Sequence, residues 1–301
     1  MITKPTLAVL AAVSIGGAAI PLNAQAPRDY TITPINVGAG ATWALGINDR
    51  GDIVGGYHVP GWSAGFLLRD GRIRRLDTVA EAVGINNRGH VVGWYADGDV
   101  YNLRFHGFLR TRHEAYTAVD VPGATLTQAL GINDIGQLVG HFNAYDIDGR
   151  YSRGFVTDGG TVSPLAVPGA TYTVATGINN RGEIVGYYSA DYGATTYGFR
   201  TRDGGASFTP IAVAGAQAVY PFGINDHGDV VGWSWSHDGL VVQSFLDLDG
   251  GLTPFTIPGS RAVYAHGINN RGDIVGSYAD AVRGALHGFL ATPRPGPRTT
   301  E

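Results

Sequence analysis

The chain has 301 residues, no cysteine and a formal net charge of −4 at pH 7. The lack of cysteine excludes a disulfide framework and thiol chemistry. A mildly acidic chain lacks the basic field that phosphate backbones require, so the composition disfavours a nucleic-acid partner.

The first 26 residues predict a secretory signal peptide. Lys4 precedes an apolar run from Leu7 to Ile20, and Ala24-Gln25-Ala26 provides a small-x-small cleavage site. The run is shorter than the roughly 20 apolar residues that span a bilayer. We therefore expect a secreted or periplasmic protein whose mature chain begins near Pro27 and has no membrane contact after signal cleavage.

An unpartnered strand precedes the repeats, and one strand is missing after them. Residues 30–37 resemble the last strand of later repeats, at 208–213 and 253–257. The sixth repeat stops just past its third strand, at Phe289-Leu290. One spare strand at the start and one missing at the end complete a blade, which leaves no exposed terminal edge.

Six copies of one repeat follow that strand. Each copy contains the motif Gly-Ile-Asn-(Asp/Asn)-x-Gly-x-(Ile/Val/Leu)-Val-Gly. A Gly/Ser-Phe pair follows later in the same copy. A period in the forties with strand-like content predicts propeller blades of four strands each. Gly-Ile-Asn begins at Gly46, Gly84, Gly131, Gly177, Gly223 and Gly267.

Each repeat opens with a predicted hairpin between its first two strands, here called a and b, with c and d following. In Asn-Asp-x-Gly the Asn side chain can bond its own backbone two residues on, and the glycine accepts a positive φ angle. Strand b is apolar on both faces, as at Ile184, Val185 and Tyr187. That pattern is expected of a blade between two neighbours.

The prediction is an all-β fold. Residues 27–292 form a six-bladed β-propeller of four-stranded blades, and the N-terminal strand closes the ring by pairing in the last blade. Residues 1–26 are the signal peptide. Residues 293–301, which are rich in proline, are expected to be a disordered tail.

The repeats resemble those of the HAF-repeat family of predicted extracellular bacterial repeat proteins. The resemblance covers essentially the whole mature chain through Asn-Asp-x-Gly-x-(Ile/Val)-Val-Gly. The His-Ala-Phe-Leu part of the family unit is closest at His106–Leu109 and His287–Leu290, and the other four copies lack the His. The resemblance implies an extracellular repeat fold and carries no catalytic residue over to this chain.

Three motifs have structural explanations that compete with functional ones. Gly61–Gly65 matches the Gly-x-Ser-x-Gly pattern of serine hydrolases around Ser63. In those enzymes the pattern forms a sharp turn, the nucleophile elbow, which needs a strand before it and a helix after it. Arg50-Gly51-Asp52 and Arg271-Gly272-Asp273 spell an adhesion tripeptide within the a–b hairpin, where turn geometry explains the glycine. A basic cluster is interpreted as a solvated hairpin edge; it consists of Arg69, Arg72, Arg74 and Arg75.

Metal-binding patterns are incomplete. Asp146-Ile147-Asp148-Gly149 and residues 247–250 resemble fragments of calcium loops, but the further ligands at fixed offsets do not follow. Calcium at Asp146 and Asp148 remains an alternative. The nine histidines form no closely spaced pair of the kind that binds zinc. The sequence therefore predicts no cofactor and no metal site.

Residues that differ between repeats cluster on one predicted face. The a–b turns are nearly identical in all six copies, so the b–c and d–a loops on the opposite face carry the variation. Loops on a rigid scaffold commonly bind ligands, and aromatic side chains with a polar edge suit sugars. The candidate ligand-binding residues are Trp43, Glu81, Trp94, Tyr95, His141, Tyr145, Tyr192, Tyr220, Trp233, Trp235, Tyr264 and His266.

The leading hypothesis for function is a secreted binding or interaction module that takes a glycan or a peptide on this face. The alternative is a polysaccharide lyase or glycoside hydrolase with its site at the channel mouth of the same face. A structural surface protein without a small ligand is a third hypothesis. The sequence identifies no catalytic residue and no oligomeric state.

Overall fold

The computed structural model describes residues 30–76, 80–98, 103–144, 151–236, 241–248, 250–282 and 284–294. These residues form 24 β-strands and no helix. The predicted signal peptide and residues 295–301 lie outside the described residues. The last strand extends to Pro293, the first residue of the proline-rich segment at 293–301.

The first three repeats occupy strands 2 to 13. Strand β1 (Tyr30–Ile35) precedes them. The first repeat contains β2 (Thr42–Ile47), β3 (Ile53–Val59), β4 (Trp62–Arg69) and β5 (Arg72–Leu76). The second contains β6 (Glu81–Ile85), β7 (Val91–Asp97), β8 (Arg104–Arg110) and β9 (Tyr116–Val119). The third contains β10 (Thr127–Ile132), β11 (Leu138–Ala144), β12 (Tyr151–Asp158) and β13 (Thr161–Leu165).

The last three repeats follow the same order. The fourth contains β14 (Tyr172–Ile178), β15 (Ile184–Ser189), β16 (Tyr197–Thr201) and β17 (Thr209–Ile211). The fifth contains β18 (Ala216–Ile224), β19 (Val230–Ser236), β20 (Val242–Leu248) and β21 (Gly251–Phe255). The sixth contains β22 (Ser260–Ile268), β23 (Ile274–Asp280) and β24 (Leu286–Pro293).

Consecutive strands of a repeat pair antiparallel, which confirms the predicted all-β propeller arrangement. Four sheets have four strands, and the third and fourth repeats share one sheet of eight. The expectation of six separate four-stranded sheets is wrong at that point. The two repeats merge because Ser152 of β12 and Tyr172 of β14 pair in parallel.

The N-terminal strand lies in the sheet of the sixth repeat. Strand β1 pairs antiparallel with β24 over its whole length, from Tyr30 opposite Pro293 to Ile35 opposite Gly288. The order of this sheet is β1-β24-β23-β22. The strand that the sequence left unpartnered at the start therefore supplies the fourth strand that the last repeat lacks.

A buried asparagine in each a–b turn links neighbouring repeats. The Asn48 side-chain oxygen accepts the backbone N–H groups of Arg50 and Asp52. Its amide nitrogen donates to the Asp52 carboxylate and to the backbone carbonyl of Asn86 in the next repeat. The same inter-repeat bond, between 2.9 and 3.2 Å, is made by Asn86, Asn133, Asn179 and Asn225, and by Asn269 to the carbonyl of Asn48.

The next residue of the turn alternates between aspartate and asparagine. Each asparagine amide donates to the carboxylates on both sides, as Asn180 does to Asp134 at 3.0 Å and to Asp226 at 2.9 Å. A carboxylate only accepts hydrogen bonds and an amide nitrogen donates two, so alternation satisfies each neighbouring pair. The series is Asp49, Asn87, Asp134, Asn180, Asp226 and Asn270.

The core lies between adjacent repeats and centres on the phenylalanine of each c strand. These rings are at most 1% exposed, and glycines of strand b make room for them. A Cβ at Gly186 would overlap the carbonyl oxygen of Val174 and lie 2.8 Å from the Phe199 ring. This packing explains why Val-Gly and Gly/Ser-Phe recur together. The rings belong to Phe66, Phe108, Phe155, Phe199, Phe245 and Phe289.

Removing one turn asparagine should destabilise the protein. Asn179→Ala deletes four hydrogen bonds, to the backbone of Arg181, to the backbone and side chain of Glu183, and to the backbone of Asn225. We expect the free energy of unfolding in urea to fall by about 3 kcal/mol, because buried partners lose their bonds. Ile135→Ala, at a side chain 64% exposed in an equivalent turn, should change it by less than about 0.5 kcal/mol. Equal effects of both would contradict the role of the amide.

Two glycine substitutions in one repeat should differ in their cost. Gly182 has φ +76° and open space around its missing Cβ, so Gly182→Ala should cost about 1 kcal/mol of backbone strain. Gly186→Ala places a methyl group against Val174 and Phe199, so it should cost more. Thermal melts of both variants provide the comparison. A Gly186→Ala variant as stable as Gly182→Ala would refute the packing explanation.

Candidate functional site

A cavity of about 570 Å³ lies on the propeller axis, bounded by the first strand of every repeat. We call it the axial cavity. A second cavity of about 70 Å³ lies at the Asn/Asp turns. The isoleucines of Gly-Ile-Asn line both cavities, so the axial cavity is at the end of the axis away from the a–b turns. These isoleucines are Ile47, Ile85, Ile132, Ile178, Ile224 and Ile268.

Strand alternation positions the side chains of the axial cavity. In strand a, two positions lie on the side that faces the axial cavity: the third residue before the glycine of Gly-Ile-Asn and the residue immediately before it. In the sixth repeat these are Tyr264 and His266, which precede Gly267. The residue after Val-Gly in strand b joins them, because it pairs directly opposite the first of these positions. Trp94 thus lies opposite Glu81, and His141 lies opposite Gln128.

Glu81 is the only acidic side chain among the described residues that line the axial cavity. Burial raises the pKa of its carboxyl, and hydrogen bonds from the side chains of Trp94 and Trp43 oppose that rise. An indole N–H only donates, so both bonds favour the ionised carboxylate. The described lining contains no arginine or lysine. The cavity therefore holds a fixed acceptor without a protein cation beside it.

Two histidines of the axial cavity are held neutral. Burial lowers the pKa of His141 and of His266 to about 4. Nε2 of His141 lies 2.9 Å from Oε1 of Gln128, and its Nδ1 lies 2.7 Å from the Ser152 hydroxyl oxygen. A neutral imidazole that donates from Nε2 and accepts at Nδ1 satisfies both contacts. At neutral pH these rings supply polar edges without charge.

Aromatic rings form one wall of the axial cavity. Phe222 lies with its ring centre 4.8 Å from that of His266 and 6.4 Å from that of Tyr187. Tyr264 meets Trp233 edge-on at 5.5 Å, and Trp233 in turn packs against Tyr220 at 4.3 Å. Aromatic faces beside a few polar groups are the typical lining of a small-molecule site.

Six of the twelve candidate residues line the axial cavity: Trp43, Glu81, Trp94, His141, Tyr264 and His266. Trp233 and Tyr220 pack beside this group without lining the cavity. Tyr95 lies elsewhere and stacks on His106 at 5.1 Å. Tyr192 and Trp235 are 65% and 43% exposed and do not line the cavity. Trp235 belongs to β19 rather than to a loop, and Tyr145 lies outside the described residues.

Sequence reasoning missed Phe222 and Thr176 in the lining. Both lie one residue before the glycine of Gly-Ile-Asn, the position that His266 occupies in the sixth repeat. The alternation of strand a was the available signal, since Tyr264 and His266 point the same way. Five different residue types at that position obscured it, since only leucine occurs twice.

The remaining motifs fall in structural positions. Ser63 lies within β4, opposite His58, and is followed by strand. Asp52 and Asp273 of the adhesion-like tripeptides are 4% exposed and bind the turn asparagines. Asp146 and Asp148 lie outside the described residues. Within the described part of the chain, no group of three or more His, Asp or Glu side chains is placed to hold a metal ion.

Comparison with known proteins identifies the class of fold. No family model and no curated protein sequence matches this chain. The chain is similar to the structure of a putative TolB from Agrobacterium tumefaciens, with TM-score 0.54 and 14% identity over 85% of this chain and 91% of that one. It is also similar to the Aleuria aurantia lectin in complex with Fucα1-6GlcNAc, with TM-score 0.51 and 10% identity over 86% and 97%.

A third similar structure is the PQQ-bound aldose sugar dehydrogenase of Streptomyces coelicolor, with TM-score 0.50 and 13% identity over 89% of this chain and 99% of that one. At these identities the likeness establishes the β-propeller fold alone. In the described ranges, no helix has the length and apolar character that a membrane crossing requires.

The two neutral histidines predict a loss of stability in mild acid. His141 and His266 take up protons near pH 6.5 in the unfolded chain, whereas burial holds their folded pKa at about 4. The unfolded state then binds more protons between these values, so the free energy of unfolding should fall as the pH decreases from 6.5 towards 4. Urea melts of the parent and of H141Q/H266Q measure this slope, which the variant should flatten. The exposed His227→Gln serves as the control, and identical slopes in all three would contradict the assignment.

Proposed function

We propose that this chain is an exported six-bladed β-propeller that binds a neutral glycan in the axial cavity. The observation that carries the proposal is the lining of that cavity. It combines aromatic faces with Glu81, Gln128 and two neutral histidines, and no cation among the described residues. Aromatic rings pack against the apolar faces of sugars, and fixed polar groups receive the hydroxyls.

The six-bladed count rests on treating the eight-stranded sheet as two blades. Strands β10–β13 and β14–β17 each repeat the pairing of the four-stranded sheets, and one parallel residue pair joins them. A closed ring is supported by the contacts between the last and first repeats. Asn269 donates to the Asn48 carbonyl, and the Asn270 amide donates to the Asp49 carboxylate.

Binding is favoured over the enzymatic alternative by the charges of the cavity. A glycoside hydrolase needs two carboxyl groups that flank the scissile bond, and the described lining contains one, Glu81. A polysaccharide lyase that acts on uronates needs positive charge near the substrate carboxylate, and the described lining residues supply none. A lone buried carboxylate would also repel an anionic chain. A neutral saccharide fits these groups better than a polyanion does.

Export and family membership belong to the same proposal. The charged start, apolar run and small-x-small site before Pro27 support secretion or delivery to the periplasm. The sequence resemblance to the HAF-repeat family supports an extracellular setting. The similar lectin, whose structure contains Fucα1-6GlcNAc, provides a precedent for a glycan ligand on this fold.

A screen against neutral oligosaccharides, followed by titration of tryptophan fluorescence, tests the proposal. Glu81→Gln replaces the carboxyl acceptor with an amide and should weaken binding by about 1–3 kcal/mol, and Trp94→Ala should cost a similar amount. Tyr192→Ala and Trp235→Ala are matched controls, because both side chains are exposed outside the axial cavity. They should retain full affinity.

Several results would reject this assignment. Loss of binding in the control variants alone would place the ligand on the outer loops. Preference for peptides over saccharides would reject the ligand class. Release of shortened saccharides or of unsaturated products during the titration would favour the enzymatic alternative.

A further inference from the structure

A third cavity, of about 360 Å³, lies between the outer parts of the first and second repeats. It opens at the c–d turns, at the end of the molecule away from the axial cavity. Five of its lining side chains are arginines: Arg69, Arg72, Arg74, Arg110 and Arg112. We call it the arginine cavity. This concentration of positive charge is notable because the chain as a whole has a net charge of −4.

The carboxylates of the cavity neutralise only part of this charge. Glu114 forms a two-point ion pair with Arg74, in which Nη2 of Arg74 lies 2.6 Å from Oε2 of Glu114. Oε1 of Glu114 also lies 3.5 Å from Nη2 of Arg110. Arg69 pairs with Asp52 at 3.0 Å. No carboxylate among the described residues forms an ion pair with Arg72 or Arg112. Two guanidinium groups therefore remain available to a ligand.

Arginines from both repeats converge beside the turn of the second repeat. A Cβ at Gly89 would lie 3.0 Å from Nη2 of Arg69 and 3.2 Å from Nη2 of Arg50. The side chain of Arg112 lies 3.7 Å from the same point. The pKa of the neighbouring His90 is lowered by burial and by the charges of Arg88 and His113. The cavity and its surroundings thus carry a local positive potential.

Glu114 and Arg110 give this cavity a built framework. The Arg110 side chain is 3% exposed and lies over the Tyr116 ring at 5.7 Å. Glu114 has φ +71°, a conformation that a residue with a Cβ rarely adopts. That geometry places its carboxylate against Arg74 and Arg110. Glu114 thereby shows how these guanidinium groups receive a planar oxyanion.

We propose that the arginine cavity binds a sugar unit that carries an oxyanion, such as a uronate, a sugar phosphate or a sugar sulfate. Arg72 and Arg112 bind the anion, because a planar guanidinium matches carboxylate, phosphate and sulfate oxygens at two points. The cavity volume lies in the range of small-molecule sites, roughly 300–1,000 Å³, and exceeds what a bare oxyanion fills. Asp70, which also lines the cavity, provides an acceptor for sugar hydroxyls. This site is separate from the axial cavity and requires no ligand there.

Calorimetric titration with glucuronate, glucose 6-phosphate and glucose 6-sulfate tests the proposal, with glucose, sodium phosphate and sodium sulfate as comparison probes. At least one charged sugar should bind saturably and at least tenfold more tightly than glucose or either inorganic ion. The variant R72Q/R112Q should lose at least tenfold in affinity. Both side chains are exposed, so the melting temperature should stay near that of the parent.

The control is R261Q/R294Q, which removes the same charge from exposed positions in the sixth repeat. It should keep its affinity within twofold. If both double variants lost the same affinity for the charged sugar, net charge alone would explain the effect, and the proposal would be overturned. Equal affinity for inorganic phosphate or sulfate would reject the sugar, and failure of every charged sugar to bind would reject the site.

Discussion

The side-chain amide of the turn asparagine is the interaction on which the arrangement of the repeats depends. Its oxygen shapes the hairpin by accepting two backbone N–H groups, and its nitrogen binds the next repeat at the same time. Turn geometry and blade spacing are therefore set by one group. Leaving either partner unsatisfied in a buried position costs free energy, so neither function can be lost alone.

This constraint places the axial cavity on strands rather than on loops. The six asparagines hold the ends of the first strands together, and the isoleucines just before them close the floor of the cavity. Side chains on paired strands keep their orientation better than side chains on loops. The variable positions around the axis can consequently change residue type, from Glu81 to Tyr264, while the backbone beneath them stays the same.

The repeat pattern allowed the strands, the hairpins and the pairing of residues 30–35 with the last repeat to be predicted, because each depends on local turn chemistry and periodicity. The merged third and fourth sheets were not predictable, since one parallel pair at Ser152 decides them. For the site, the prediction found Glu81 and His266 but also included Tyr192 and Trp235, because sequence does not show which aromatic residues face the axis. For the arginine cavity, the sequence identified Arg69, Arg72 and Arg74 within a basic cluster but interpreted that cluster as a solvated hairpin edge. Arg112 is far from this cluster in the chain, and both line one cavity only because two repeats lie side by side.

The alternation of aspartate and asparagine after each turn asparagine has a consequence for how such a chain can grow. Asn87, Asn180 and Asn270 each bridge two carboxylates, and the series returns to Asp49 after six repeats. A single additional repeat would place two carboxylates side by side without a side-chain donor between them, or two amides without a full set of acceptors. A change in repeat number that preserves this alternation must therefore add or remove repeats in pairs.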